Sequence, residues 1–495
     1  MTGAPVRLSA ATLADLPEGV AVPAYDRSAV RAGIVHLGVG GFHRAHQAMY
    51  LDRLMNAGRA LDWGICGVGV LESDAAMAAV MQQQDCLYTL LVRHPDGHTD
   101  ARVIGSIVQY LFAPDDPVAV IERMADPAVR IVSLTVTEGG YNLNHVTGAF
   151  DAENPDVVAD LARPAAPRTI FGLVTAALAR RRERGIPPFT VMSCDNIPGN
   201  GDMARSMFGT FAGLLDPDLG DFVSSSVAFP NSMVDRITPA TTDADRAELA
   251  DRFGVADGWP VVCEPFAQWV LQDGFGAGVP PLADAGVMMV DDVEPYELMK
   301  LRLLNCSHQG IAYFGYLAGY RLVHEAAADP LIASFLLDYM EREASPTLLP
   351  VPGIDLDGYR HQLIERFANP GVRDTIARLC ADTSNRIPNW LLPVVRTQLE
   401  RGGEVTRAAA IVASWARYAE GVDEQGEPIE VVDRLADRLA AAARRYPTDP
   451  DAFVTDPELF GALGRDERFL VPYRAALASL HDRGALATLA ELNGR

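Results

Sequence analysis

Residues 33–40 read Gly33-Ile34-Val35-His36-Leu37-Gly38-Val39-Gly40, an apolar run that ends in two spaced glycines. The next eleven residues, Gly41-Phe42-His43-Arg44-Ala45-His46-Gln47-Ala48-Met49-Tyr50-Leu51, read as helix. Strand, glycine turn and helix in that order is the context that makes a dinucleotide-binding loop credible. Gly38 makes the tight turn, and Gly40 lets the backbone approach a pyrophosphate at the start of the helix that Gly41 opens. The third glycine of the GxGxxG pattern falls at position 43, where this chain carries His43. A structural glycine turn is the competing reading of these residues taken alone.

Working outward, a second strand is predicted over 63–70 (WGICGVGV), with Glu72 and Asp74 just beyond it. An acid there accepts hydrogen bonds from the adenosine ribose, which favours NAD over NADP. The alternative is a helix start capped by Ser73, with Asp74 in its first turn. A buried strand over 131–136 runs into Thr137-Glu138-Gly139-Gly140-Tyr141, and another over 189–194 delivers Asp195-Asn196. Such strand ends fall on the carboxyl edge of a parallel sheet, where α/β proteins bind ligands. For Glu138 a solvated turn carboxylate is the alternative. Residues 229–237 (FPNSMVDRI) add Asp235 and Arg236, which also read as a local ion pair.

Composition narrows the partners. At 495 residues the chain exceeds a single core and divides into two or three units. Its formal charge of −23 argues against nucleic acid and anionic membrane. The six cysteines are scattered without a CxxC pair, which reads as reduced thiols rather than a disulfide framework or zinc cluster. Residues 1–22 hold no basic-then-apolar signal segment, and no apolar run is long enough to span a bilayer. The expectation is a cytoplasmic protein without a bound metal.

Beyond about Gly286 strand-like alternation gives way to helical patterns, for example over 331–343, 359–367, 408–418 and 431–445. The division expected is 1–285, an α/β nucleotide-binding unit, and 286–495, a mainly helical one. The helical half opens on Lys300-Leu301-Arg302-Leu303-Leu304-Asn305-Cys306-Ser307-His308, with no Gly or Pro between Tyr296 and Gln309. At ~100° per residue His308 and Asn305 lie roughly 80° and 140° around the helix from Lys300. A lysine, an amide and an imidazole thus share one half of a helix that is otherwise apolar, Arg302 apart. Unpaired burial costs on the order of several kcal/mol, so such groups need partners or a ligand. A snorkelling lysine with a satisfied core His and Asn is the alternative for each residue singly.

Seven blocks carry a resemblance: GVGGFHRAHQ (38–47), TVTEGGY (135–141), TVMSCDN (190–196), FPNSMVDRITP (229–239), CEPFAQWV (263–270), MKLRLLNCSH (299–308) and ERFANPGVRDTIARLC (365–380). In this order they resemble the polyol-specific long-chain dehydrogenases, the mannitol dehydrogenase family, over most of the chain. The resemblance implies a Rossmann-type domain followed by a mainly α-helical domain. It also implies zinc-independent hydride transfer with NAD between a polyol and a 2-ketose, D-mannitol and D-fructose foremost. Lys300 would then be the general acid/base. A free lysine, with a reference pKa of ~10.4, is a poor base at neutral pH, so its surroundings must lower that value. Asn196 and Asn305 would donate to the developing alkoxide, His308 would orient substrate oxygens, and Glu138 would relay the proton. Asp235 and Arg378, with Arg373 and Arg386, would contact sugar hydroxyls. Gly38, Gly40, Gly41 and Phe42 would hold the cofactor, and Asp74 or its neighbour Glu72 would set NAD preference. His43 is what the family carries at the third glycine position. The likeness further implies a monomer. Fructuronate or tagaturonate reduction, oxidation of arabinitol or sorbitol, and a catalytically dead cofactor-binding regulator are the rival readings.

Overall fold

The computed structural model describes residues 4–143 and 149–494; of Glu138 it describes the backbone only. The chain forms two units, Met1–Glu294 and Pro295–Arg495.

The first unit is built on five parallel strands, β1 (Ala32–Leu37), β2 (Gly64–Gly69), β3 (Ile107–Phe112), β4 (Ile131–Leu134) and β5 (Thr190–Ser193). Their order across the sheet is β3-β2-β1-β4-β5. Every residue of β1, β2, β4 and β5 is buried, as expected for strands covered on both faces. One face packs against the helices Pro117–Ala125, Ile170–Glu183 and Asn200–Leu215 through Phe171, Phe208 and Phe211. The other packs through Met49, Leu54, Met81 and Trp269. The strand order reverses direction between β1 and β4, so a crevice opens beyond their carboxyl ends. Gly38 follows β1 and Thr135 follows β4 at that point, and His36 lies opposite Ser133 in the register.

Among the described residues three smaller sheets complete this unit. Val261–Cys263, Tyr88–Arg93, Thr99–Ile104 and Val20–Ala21 form one, and Ser232–Asp235, Gln268–Gln272 and Met288–Val290 another. Val6–Arg7 pairs with Val255–Ala256. The hairpin Tyr88–Arg93/Thr99–Ile104 and strand β3 go beyond the sequence reading, and β4 ends at Leu134, two residues before the predicted end.

The second unit is helical. Its most buried helices are Cys306–Leu317 and Thr406–Ala419, whose Tyr313 and Trp415 rings lie 6.5 Å apart. Trp415 also meets Phe453 edge-on. The helix predicted over 431–445 is confined to Ala436–Ala443. Asp433 prevents its extension: its Oδ1 accepts from Leu435 N–H and its Oδ2 from Ser384 N–H, so an Asx turn replaces the first helical turn. Among the described residues no helix is long and apolar enough to cross a membrane.

Candidate active site

In the first unit the loop after β1 is drawn tight by hydrogen bonds from Gly38 N–H to Val68 O (3.0 Å) and from Gly40 N–H to Gly38 O (2.8 Å). Gly38 has φ 92°, and a Cβ there would lie 2.3 Å from Thr135 O, so both conformation and space demand glycine. Gly40 differs: its backbone is extended, and a Cβ would meet no protein atom within 4 Å. Open space before Gly40 is what a pyrophosphate needs to approach the backbone. Gly41 begins helix α1 (Gly41–Ala45), which breaks at His46 before α2 (Gln47–Asn56). Phe42 stacks on His46, ring centroids 4.9 Å apart.

His43 fills the place where a third glycine would bring helix against strand. Its buried ring stacks on His36 of β1 at 3.4 Å and 11°, and its Nδ1 pairs with Gln47 Oε1. His36 in turn pairs with Ser133 Oγ and Thr135 Oγ1. Burial lowers the pKa of both rings, that of His43 to about 3, so the pair is neutral. The departure from GxGxxG is therefore a packing solution: a flat ring on a flat ring takes up the gap.

Beyond β2, Glu72 is exposed and Asp74 half-buried. Ser73 is not the cap. Asp74 holds the N-cap position without a capping bond, and its Oδ2 turns back to accept Val70 N–H (2.9 Å) and Leu71 N–H (3.0 Å). Beyond β4 the Glu138 side chain lies outside the described residues; its backbone opens the turn Glu138–Tyr141. Asn196, three residues beyond the end of β5, is exposed, and Asp235, at the end of Ser232–Asp235, is buried. Arg236 donates to the backbone, to Glu264 O (3.0 Å) and Ala45 O (2.7 Å). Asp195 is a residue whose role the sequence reading did not single out. Its buried carboxylate gathers the Val136 and Thr137 N–H groups and the Tyr141 hydroxyl. An acid directly before the exposed asparagine was the available signal.

In the second unit helix α3 (Glu294–Met299) leads without a break into a π-helical segment, Lys300–Asn305, and then α4 (Cys306–Leu317). The regular α-helix expected here is corrected. Cys306 N–H bonds Leu301 O, an i→i+5 pairing. That pairing carries residue i+5 above residue i, so Asn305 rotates towards Lys300 instead of lying far around the helix. Lys300, Asn305 and His308 are all buried. Asn305 Oδ1 and His308 Nε2 are buried without a hydrogen-bond partner among the described residues, as is Ser307 Oγ. Polar atoms in that condition await a ligand or water. His308 packs against the Phe367 ring at 4.6 Å. Burial, and then the charges of Arg378, Arg366, Lys300 and Arg386, hold its pKa well below 6.5, so it offers a neutral imidazole.

The three arginines differ. Arg378 turns Nε and Nη2 onto the Asp374 carboxylate. Arg386 donates Nη1 to Arg378 O and Leu379 O. Arg373 is exposed and sits at φ 51°. Among the described residues no group of three or more His, Cys, Asp or Glu could hold a metal ion.

Comparison with known proteins follows the same two-part division. The mannitol dehydrogenase Rossmann domain matches residues 32–284, and the mannitol dehydrogenase C-terminal domain matches residues 292–481. A mannitol 2-dehydrogenase of Phaeosphaeria nodorum is 46% identical over 99% of this chain and 86% of its own length. One of Aspergillus fumigatus is 45% identical over 98% of this chain and 99% of its own. The Pseudomonas fluorescens mannitol 2-dehydrogenase ternary complex with NAD and D-mannitol is 44% identical, with a TM-score of 0.92 over 99% of this chain and 100% of that one. A substrate-free D-sorbitol dehydrogenase is 38% identical, with a TM-score of 0.88 over 97% of this chain and 100% of that one.

Proposed function

The chain belongs to the mannitol dehydrogenase family, and from that premise we propose that it is an NAD-dependent oxidoreductase interconverting D-mannitol and D-fructose. The observation that carries this reading is its full-length likeness to an enzyme bound to NAD and D-mannitol. Residues 1–285 serve the dinucleotide and residues 286–495 supply the acid/base helix. The loop fits the cofactor, because Gly40 leaves open space where a pyrophosphate approaches. Gly38, Gly40, Gly41 and Phe42 hold the dinucleotide, and Asp74, with Glu72 beside it, favours the free ribose of NAD over NADP. Bound NAD supplies the hydride acceptor for oxidation.

The chain's own residues handle the proton and the charge. Lys300 removes the hydroxyl proton during oxidation and returns it during reduction. Asn196 and Asn305 donate N–H groups to the substrate oxygen as it becomes an alkoxide, a contribution of roughly 3 kcal/mol per donor. Asn305 closes the π-helical segment that Lys300 opens, and its buried Oδ1 has no hydrogen-bond partner among the described residues, so its amide is not fully engaged within the fold. Neutral His308 orients substrate oxygens without competing for the proton. Glu138 passes the proton towards solvent. Asp235 and Arg378, with Arg373 and Arg386, bind sugar hydroxyls. Proton transfer by Lys300 and charge stabilisation by amides need no metal. The same reading takes the protein as a cytoplasmic monomer.

A hexuronate substrate would want a bidentate arginine clamp. The fork of Arg378 is already engaged with Asp374, which favours the neutral polyol. The test is NADH oxidation by chelator-treated protein with D-fructose and, in parallel, D-fructuronate. Turnover of fructose, reversed with mannitol and NAD, is expected. Turnover of fructuronate alone would make the protein a uronate reductase.

A further inference from the structure

The turn after β4 contains a backbone outlier. Thr137 has φ 64° and ψ 170°, a region that a β-branched residue rarely enters. Such a conformation is strained and persists only where the surrounding structure over-determines it. One side chain holds it there. Asp195 Oδ1 accepts Thr137 N–H at 2.8 Å, and Oδ2 accepts Val136 N–H at 3.2 Å and the Tyr141 hydroxyl at 2.9 Å. Burial, and then the charge of Asp195, raises the Tyr141 pKa well above 10, so the phenol stays a donor.

The same carboxylate belongs to a wider frame. Asn200 Nδ2 donates to Asp195 O at 2.9 Å and to Ser232 O at 2.7 Å, while its Oδ1 accepts Ser232 N–H at 2.9 Å. Ser232 Oγ donates to Ser193 O at 2.6 Å. The turns after β4 and β5 and the strand Ser232–Asp235 are thus one hydrogen-bonded assembly. The strained residue precedes Glu138, and the carboxylate that holds it precedes Asn196.

We propose that Asp195 is a positioning residue: it fixes the strained Thr137 turn that bears Glu138 in register with Asn196, so that proton release and alkoxide stabilisation stay coupled. This rests on the roles given above to Glu138 and Asn196. Charge-assisted bonds to two successive N–H groups are strong enough to hold a strained turn. An amide at position 195 would face three donors with one acceptor oxygen, and the turn would relax.

The experiment is the pH profile of kcat for mannitol oxidation by Asp195→Asn, Tyr141→Phe and Glu138→Gln, with NADH affinity and melting temperature measured alongside. Asp195→Asn should lower kcat about 10- to 100-fold and shift the profile in the same direction as Glu138→Gln. Its KM should stay within about threefold of the parent, because coupling rather than substrate affinity is lost. Tyr141→Phe, which removes one bond to the carboxylate, should shift the profile less but in that direction. A lowered melting temperature with unchanged profiles in both Asp195→Asn and Tyr141→Phe would make the frame merely structural and overturn the proposal. Should Asp195→Asn fail to fold, Tyr141→Phe decides between the same two results. If Glu138→Gln itself leaves the profile unmoved, the relay reading falls, and the proposal with it. If Glu138→Gln moves it and the other two do not, only the role of Asp195 is lost.

Discussion

A buried amide with an unpaired oxygen, Asn305, and a buried lysine, Lys300, sit at the two ends of one π-helical segment. Lys300→Ala removes the group proposed to take the substrate proton, so turnover should fall by at least about 100-fold with NADH affinity nearly intact. Asn305→Ala should lower kcat by about 100-fold and leave KM little changed, because the bond it removes strengthens only as the alkoxide forms. Steady-state kinetics with fluorescence titration of NADH would check both; a change confined to KM would move Asn305 from charge stabilisation to substrate binding. Asp74 is a different case. Its Oδ2 already accepts two N–H groups, so Asp74→Ala should both loosen the turn after β2 and raise the use of NADP relative to NAD. Glu72→Ala, at an exposed position, should leave the coenzyme ratio where it was. The opposite pattern would transfer ribose recognition to Glu72.

Among the elements, the loop after β1 separates two uses of glycine. Gly38→Ala places a Cβ against Thr135 O in a left-handed backbone, and should cost a few kcal/mol of stability, seen as a lower melting temperature. Gly40→Ala meets no protein atom, so melting should hardly change while NADH binding weakens by about tenfold or more. Unaltered NADH affinity in Gly40→Ala would take the pyrophosphate away from that loop. This element was legible in the sequence because a short apolar run ending in spaced glycines suits little besides a buried strand and the tight turn that follows it. Strand β3 was not: Ile107-Val108-Gln109-Tyr110-Leu111-Phe112 mixes buried, half-buried and exposed positions at the sheet edge, so its pattern matches neither a central strand nor a clean alternation. The hairpin Tyr88–Arg93/Thr99–Ile104 did carry a signal, the turn residues Pro95-Asp96-Gly97 between strand-forming runs. The π register was hidden altogether. No Gly or Pro marks it, and a helical wheel drawn at a fixed angle cannot register the extra residue in the turn. The three polar residues were found, but their mutual facing was understood only from the backbone.

Each unit of the molecule carries buried titratable groups of opposing sign, and the balance between them near neutral pH differs from one unit to the other. In the first unit His36 and His43 are neutral and fully buried, their pKa values lowered by burial. The unfolded chain protonates these rings below about 6.5 while the native unit does not, so stability present above that pH is lost as pH falls towards the native values. Each ring costs about 1.4 kcal/mol for each pH unit below that point. The buried carboxylates Asp52 and Asp257, raised by burial, act oppositely but start from the lower carboxylate range. In the second unit His308 has the same sign as the other two histidines, but Glu343 opposes it. Burial pushes Glu343 up to about 7, only partly countered by the N–H groups of Arg407 and Ala408 that it accepts. Its native proton is kept while the unfolded chain gives one up, so its contribution grows as pH falls from about 7 towards 4.5 and cancels most of the loss at His308. Between about pH 7 and about pH 5.5 the amides of β1 and β4 should therefore lose roughly a hundredfold in exchange protection, and those of Cys306–Leu317 and Thr406–Ala419 less than about tenfold. Hydrogen exchange corrected for the intrinsic pH dependence measures both sets in one sample. Equal losses in the two units would mean that the paired histidines of β1 and α1 do not govern acid stability. A matching loss in Glu343→Gln would locate the protection of the helical unit elsewhere than in its buried carboxyl group.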